Sequence, residues 1–316
     1  MDQQNYSRVT EFVLLGLSNS SELQCFFLVC FSLLYIGIVL GNFLIVLTVI
    51  SEPALHTPMY IMLSNLSVLD VLLATYATPK MIHDFLHEPK IISFEGCMAQ
   101  IFLLHVFAGG EMVLLVAMAY DRYVAICKPL HYAAIMNLCK CTGLVIASWI
   151  IGVLHSLSQL AFTLNLPFCG PNIVDSYYCD LTLVIKLAYR YTYIPEVLML
   201  LDSGLMGVTS FLLLLISYTV ILLTVRRHSS AGMAKARSTL TAHITVVTLF
   251  FGPCIFIYIW PFGNNPVDKV FSVFSSVFTP ILNPIIYTLR NKEVKFAMYK
   301  LKTRYISSRH PFLFHA

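Results

Sequence analysis

The hydrophobic positions of this chain form long uninterrupted runs. A helix needs about 20 apolar residues to cross about 30 Å of hydrocarbon. Four runs have this length and no charged residue, and three more contain one interior acid each, namely Asp70, Glu111 or Asp202. The seven segments, numbered spans 1 to 7, cover approximately residues 25–50, 58–79, 98–121, 141–166, 197–225, 238–261 and 270–289. Pro253 and Pro284 lie inside spans 6 and 7, where proline is expected to kink a helix.

The composition supports a bilayer as the solvent of these helices. Of 316 residues, 58% are apolar and 11% charged, whereas a soluble domain carries about 25% charged residues. The net charge of +4 is small, and no basic run interleaved with aromatic residues indicates nucleic acid binding. The pattern predicts an all-α membrane protein, a bundle of seven transmembrane helices.

The distribution of Lys and Arg predicts the orientation of the bundle. With the N-terminus outside, the three inner segments hold three, four and seven of the 20 basic residues, as the positive-inside rule requires. Two glycosylation sequons, at Asn5 and Asn19, then lie on the lumenal side. We therefore expect an extracellular glycosylated segment at 1–24, the bundle at 25–290 and a cytoplasmic tail at 291–316 with a short amphipathic helix.

Several polar residues are predicted to lie near the middle of the membrane. Counting 1.5 Å per residue puts Asp70 roughly 18 Å and Glu111 roughly 16 Å from the inner surface. Asn42 and Asn283 lie about 13 Å and 10 Å deep. Two bare carboxylates repel in a low dielectric, so we hypothesise that Asp70 and Glu111 share a sodium ion or a proton. The alternative is that these groups only join helices by hydrogen bonds.

Ordered motifs on several spans resemble the rhodopsin-like (class A) G-protein-coupled receptors, and more narrowly the olfactory receptors. The resemblance runs from about Glu11 to Lys302. The sequences of spans 3, 6 and 7 are similar to those of olfactory receptor family 4. The motifs are Gly41-Asn42, Leu55-His56-Thr57-Pro58-Met59-Tyr60, Met118-Ala119-Tyr120-Asp121-Arg122-Tyr123-Val124-Ala125-Ile126-Cys127, Ser217-Tyr218, Lys235-Ala236-Arg237-Ser238-Thr239 and Pro280-Ile281-Leu282-Asn283-Pro284-Ile285-Ile286-Tyr287.

The resemblance implies a switch for a G protein at the inner ends of the helices. In it, Asp121 holds Arg122 in the inactive state, and activation frees the guanidinium to face the G protein. The full set of implied switch residues is Asp121, Arg122, Tyr123, Tyr218, Asn283, Pro284 and Tyr287. The lineage further implies a stimulatory G protein of the olfactory type, which raises cyclic AMP. It also implies a disulfide between Cys97 and Cys179, leaving Cys169 as a free thiol.

The resemblance also implies a ligand pocket in the outer half of the bundle. Its expected residues are Leu104, His105, Ala108, Gly109, Met112, Asp202, Ser203, Met206, Phe251, Cys254, Ile255, Tyr258, Val273 and Ser276. Such a pocket suits a small volatile odorant that binds in the micromolar to millimolar range. Asp202 either contacts a basic or hydroxyl-bearing ligand or is a solvated residue at the pocket mouth. His105 is expected to be a hydrogen-bonded pocket residue rather than a metal ligand.

Other classes of membrane protein fit the chain less well. A transporter or channel would explain the intramembrane acids, but inverted repeats and paired broken helices are absent from the sequence. The motifs of a metalloprotease, an α/β-hydrolase or a nucleotide-binding loop are absent too, so no enzyme activity is expected. A receptor for a non-odorant small molecule remains the alternative. The expected location is the plasma membrane, crossed several times, and no cofactor is expected apart from the sodium ion of the hypothesis above.

Overall fold

The structure is a computed structural model that describes residues 9–18, 20–188, 193–227, 232–259, 266–290 and 292–309, in places by backbone alone. Its helices are α1 (Ser21–Ser51), α2 (Pro58–Thr75), α3 (Thr78–Asp84), α4 (Phe94–Cys127), α5 (Tyr132–Ile135), α6 (Leu138–Leu164), α7 (Leu181–Ile185), α8 (Tyr193–Arg227), α9 (Gly232–Ile259), α10 (Pro266–Val273), α11 (Thr279–Arg290) and α12 (Lys292–Arg309). A π-helical turn, Phe274–Phe278, joins α10 to α11.

Within these described ranges, six helices are long and apolar enough to cross a membrane. A shorter apolar helical segment, His243–Cys254, lies within α9. Together they correspond to the predicted spans and form the seven-helix bundle. Spans 1, 3, 4, 5 and 6 are α1, α4, α6, α8 and α9, and span 7 is α10, the π turn and α11.

Span 2 is interrupted near its outer end. The regular helix α2 stops at Thr75, and α3 begins at Thr78 with Pro79 in its first turn. A proline in a helix interior removes a backbone hydrogen bond and clashes with the preceding turn, whereas the first turn tolerates it. The chain therefore starts a new helix at this proline.

The bundle is arranged for a membrane, with apolar side chains outside and polar groups inside. On α1, Phe26, Leu33 and Ile50 are more than 60% exposed. By contrast, Asp70 and Glu111 are fully buried between the helices. The long helix α4 lies at the centre and packs against α2, α6, α8 and α9. One helix thus connects the outer and inner halves of the molecule.

A small sheet covers the outer end of the bundle, in a region where the sequence predicts no regular structure. Strand β1 (Glu11–Leu14) pairs antiparallel with β2 (Ile91–Ser93) and parallel with β3 (Ile173–Val174). Phe12 and Leu14 point into a separate core with Phe94, Phe168 and the Cys97–Cys179 disulfide. The segment before α1 is thereby tied to the first outer loop, which carries β2, and to the second outer loop, which carries β3.

The inner side is held by contacts of α12 with the inner ends of α1 and α2. Val294 and Ala297 are buried, while Lys295 and Lys302 are exposed, so α12 presents one apolar face to the bundle. Tyr60 donates a hydrogen bond of 2.6 Å to Glu293.

Candidate functional site

A cavity of about 160 Å³ lies in the outer half of the bundle beneath the second outer loop. Most of its wall is apolar, with a few histidine, serine and acidic side chains, which is the usual make-up of a small-molecule site. The lining residues are Leu73, Tyr76, Leu104, His105, Ala108, Gly109, Met112, His155, Tyr178, Asp180, Leu181, Thr182, Ser203, Phe250, Cys254, Ser272, Ser275 and Ser276.

The cavity contains part of the predicted pocket set. Leu104, His105, Ala108, Gly109, Met112, Ser203, Cys254 and Ser276 line it. Four further predicted residues, Asp202, Met206, Phe251 and Val273, are described but lie outside the lining. The side chains of Ile255 and Tyr258 lie outside the described residues, as do the predicted glycosylation sites Asn5 and Asn19.

The second outer loop forms the roof of the cavity. The Cys97–Cys179 disulfide, with Cα atoms 5.4 Å apart, fixes it to the top of α4 as predicted, and Cys169 is a free thiol. Next to the disulfide, Asp180 accepts the backbone N–H of Thr182 at 2.9 Å and the Tyr178 hydroxyl at 2.8 Å. Burial, and then the negative charge of Asp180, raises the pKa of the Tyr178 phenol, so Tyr178 remains a neutral donor.

Three of these roof residues, Tyr178, Asp180 and Thr182, are absent from the sequence-based set. The implied disulfide offers a signal for them, because residues beside Cys179 must lie over the outer end of α4. A fourth missed residue, His155, projects from α6. The closeness of α6 to α4 depends on Gly109 and Gly152, since a Cβ placed on Gly109 would lie 3.3 Å from the Gly152 Cα.

Asp202 lies at the contact between α8 and α6 and is absent from the cavity wall. Its Oδ2 accepts hydrogen bonds from the Ser158 hydroxyl at 2.5 Å and the Gln159 amide at 2.7 Å. The same oxygen lies 3.3 Å from His155 Nδ1. The side chain is 39% exposed and lies outside the cavity wall, so of the two predicted roles direct ligand contact does not describe this position. Asp202 contacts His155, and His155 in turn lines the cavity.

The two acids at mid-depth, Asp70 and Glu111, are fully buried, and so are Asn42 and Asn283. Asn283 donates to both oxygens of Asp70, at 2.9 and 3.1 Å, and Asn42 donates to the Pro280 carbonyl at 3.0 Å. In the described part of the chain, both Glu111 oxygens and the Asn42 and Asn283 amide oxygens have no hydrogen-bond partner. Buried oxygens without donors are costly, so this group of acceptors suits a cation or added protons.

The inner end of α4 carries the predicted switch pair. Asp121 is fully buried, and it accepts from Arg122 Nε at 3.0 Å and from the Tyr132 hydroxyl at 2.8 Å. On the neighbouring helices, the Tyr218 hydroxyl contacts His243 Nδ1. The geometry is that of a restrained guanidinium.

The remaining switch residues lie on α4 and span 7. The Tyr123 ring lies 6.5 Å from that of Tyr120 on α4. A Cβ placed on Gly41 would lie 3.5 Å from Pro284 Cβ, so α1 and α11 are in close contact there. The Tyr287 side chain lies outside the described residues.

Comparison with known proteins gives a consistent picture over almost the whole chain. The family model described as "Olfactory receptor" matches residues 31–304. Olfactory receptor 4K15 of Homo sapiens is 67% identical over 306 residues, which are 97% of this chain and 94% of that protein. Olfactory receptor 4K3 of Homo sapiens is 62% identical, covering 96% of this chain and 97% of that protein. For olfactory receptor 4K14 of Homo sapiens the figures are 61%, 97% and 99%.

Proposed function

The chain belongs to the olfactory receptor family, and from this premise we propose that it binds a small volatile odorant in the outer cavity and activates a stimulatory G protein of the olfactory type. As a member of this family it is an odorant-sensing G-protein-coupled receptor of the plasma membrane and has no enzyme activity.

The observation that carries the proposal is that one helix reaches both sites. Helix α4 contributes Leu104, His105 and Met112 to the cavity and Asp121 and Arg122 to the inner switch. A ligand of 10 to 15 heavy atoms that contributes roughly 0.5 kcal/mol per atom would bind in the micromolar to millimolar range. This affinity suits a volatile compound that must also dissociate quickly.

Signalling follows from a shift in population. A ligand that binds the active arrangement of helices more tightly than the inactive one increases the active fraction. In the inactive form Asp121, which also accepts the Tyr132 hydroxyl, would restrain Arg122. The active form would release Arg122 towards the G protein, and adenylyl cyclase would raise cyclic AMP.

The test is a cyclic-AMP reporter assay of the full-length receptor against a broad odorant panel. Ala108→Phe fills the cavity and should abolish the response, while the matched variant Leu103→Phe, on an exposed position of the same helix, should keep it. Arg122→Ala should abolish coupling without removing the receptor from the cell surface. A full response of Ala108→Phe would show that the odorant binds elsewhere.

We further propose that Asp70 and Glu111 share a sodium ion or a proton. Hard cations prefer carboxylate and amide oxygens, and the unpartnered oxygens of Glu111, Asn42 and Asn283 offer such donors.

Ionic substitution separates these two occupants. If sodium is bound, replacing it by N-methylglucamine should change basal cyclic AMP in the parent receptor but not in Glu111→Gln. If a proton is shared, basal activity should depend on pH and not on sodium. The exposed acid on the same helix, Glu95, provides the control variant Glu95→Gln. Unchanged ion and pH dependence in Glu111→Gln would reject both forms of the proposal.

A further inference from the structure

Two histidines line the cavity from neighbouring helices, His105 on α4 and His155 on α6. Their ring centroids are 5.7 Å apart. An imidazole has two distinct nitrogens, and the hydrogen bond made by one of them decides whether the other donates or accepts. The partners of the two Nδ1 atoms therefore determine what the cavity presents to a ligand.

The tautomer of His105 is fixed by the backbone. Its Nδ1 lies 2.7 Å from the Ile101 carbonyl oxygen. A carbonyl can only accept a hydrogen bond, so Nδ1 must carry the proton. An imidazolium in a largely apolar cavity is costly without a paired anion, so the ring is neutral and Nε2 has a free lone pair. His105 offers an acceptor to the cavity.

The tautomer of His155 is fixed by Asp202. His155 Nδ1 lies 3.3 Å from Asp202 Oδ2, and a carboxylate accepts, so this Nδ1 carries the proton as well. Ser158 and Gln159 already donate to the same oxygen at 2.5 and 2.7 Å. Because Ser158 and Gln159 bind Asp202 Oδ2 at shorter distances, they disperse the negative charge of the carboxylate. Asp202 therefore stabilises a second proton on the His155 imidazole only weakly. Nε2 of His155 is thus also an acceptor.

The remaining polar groups of the wall do not reverse this preference. The Tyr178 hydroxyl donates to Asp180 at 2.8 Å, and the Thr182 hydroxyl donates to the same carboxylate. Ser203 and Ser275 can rotate their hydroxyls and either donate or accept, so they tolerate both kinds of ligand. The Asp180 carboxylate can only accept as well, so it favours the same kind of ligand as the two histidines.

Building on the function proposed above, we propose that this cavity selects odorants that carry a hydrogen-bond donor, above all an alcohol or phenol, because His105 and His155 both present acceptor nitrogens to it. Ketones and ethers of the same shape offer acceptors only, and they leave both Nε2 lone pairs without a partner. Asp202, which lies outside the cavity wall, acts as a positioning residue that holds His155 in this tautomer.

Matched compounds that share a ring or a chain test the proposal in the full-length receptor; the ethers carry one additional methyl carbon. Suitable sets are cyclohexanol, cyclohexanone and methoxycyclohexane; octan-2-ol and octan-2-one; and phenol and anisole. One buried hydrogen bond lost without replacement corresponds to about a tenfold change in potency. We expect alcohols and phenol to be about tenfold more potent in the cyclic-AMP assay than their partners.

Variants then identify the nitrogens that make the distinction. His105→Phe and His155→Phe keep a ring but remove the acceptor, so the alcohol should lose potency while the ketone keeps it. His155→Gln remains polar and separates loss of the acceptor from misfolding, and surface labelling verifies delivery. Asp202→Asn can donate to Nδ1 and free the other tautomer, so the preference should narrow. Asp175→Asn, on an exposed acid of the outer loop, should leave it unchanged.

The possible failures are distinguishable. Equal or greater potency of ketones and ethers in the parent receptor, or a preference for alcohols that persists in both phenylalanine variants, would overturn the proposed ligand class and leave the receptor function intact. A variant with raised basal activity serves as the positive control for coupling. If this variant raises cyclic AMP but no compound does, coupling is present, and both the proposed ligand class and the proposed odorant cavity are refuted.

Discussion

The contact between α4 and α6 depends on the absence of a side chain at Gly152. A Cβ at this position would lie 2.4 Å from the Val106 carbonyl oxygen and 2.8 Å from the Gly110 nitrogen. Both atoms belong to the backbone of α4, so they cannot move as a flexible side chain can. Gly152→Ala must therefore push the two helices apart.

The size of the effect follows from two opposing contributions. Real Cβ contacts below 3.0 Å essentially do not occur, so the 2.4 Å contact requires a shift of roughly 0.6 Å or more. Such overpacking costs about 1–3 kcal/mol, while alanine in place of glycine favours a helix by about 1 kcal/mol. The shift also stretches the 2.6 Å hydrogen bond from Ser156 to the Phe102 carbonyl, so we expect a net loss of stability.

The assay compares Gly152→Ala with Gly143→Ala on the same helix. Gly143 is exposed, and a Cβ there meets nothing within 4 Å, so its variant should be as stable as the parent receptor or slightly more stable. Gly152→Ala should lower the melting temperature in detergent and reduce surface expression. It should also weaken odorant responses, because His155 lies one turn away. Equal stability of the two variants would refute the close-packing argument.

Three further outcomes are expected from other parts of the fold. Tyr132→Phe removes the 2.8 Å bond to Asp121, worth about 1 kcal/mol, so basal cyclic AMP should rise up to about fivefold; because burial raises the pKa of Tyr132, the phenol stays protonated and the rise should not vary between about pH 6 and pH 8. Cys179→Ser opens a disulfide that spans 82 residues, a loss of up to about 4.5 kcal/mol, and should abolish surface expression, unlike Cys169→Ser. Phe12→Ala empties a fully buried site, at a cost of about 3–5 kcal/mol, and should increase hydrogen exchange in the outer sheet without changing the inner switch.

The helical class of this protein was predictable because the bilayer imposes strong one-dimensional constraints. A run of apolar residues long enough to cross hydrocarbon is visible without any knowledge of packing. The same reasoning predicts the burial of Asp70 and Glu111, since an acid near the middle of an apolar run is costly unless it faces the interior of the bundle. Both side chains are fully buried.

The outer sheet and the roof of the cavity were not predictable in this way. Strand β1 has only four residues, and β3 has two, too few to show a period. Their pairing is stabilised by tertiary contacts, such as those of Phe12 with Phe94 and Phe168. The position of His155 depends on how closely α6 approaches α4, and that distance is determined by glycines on two helices distant in sequence.

The neighbours Asp202 and Ser203 show which coordinate a sequence leaves undetermined. Helical rise gives the depth of a residue to within a few ångströms, but each step along the helix also rotates the side chain by about 100°. Ser203 is buried and lines the cavity, whereas the Asp202 side chain is 39% exposed and faces α6. A prediction based on depth alone therefore assigns both residues to the pocket. The rotation instead puts the carboxylate behind His155, where it can determine which hydrogen bonds the cavity accepts without touching a ligand.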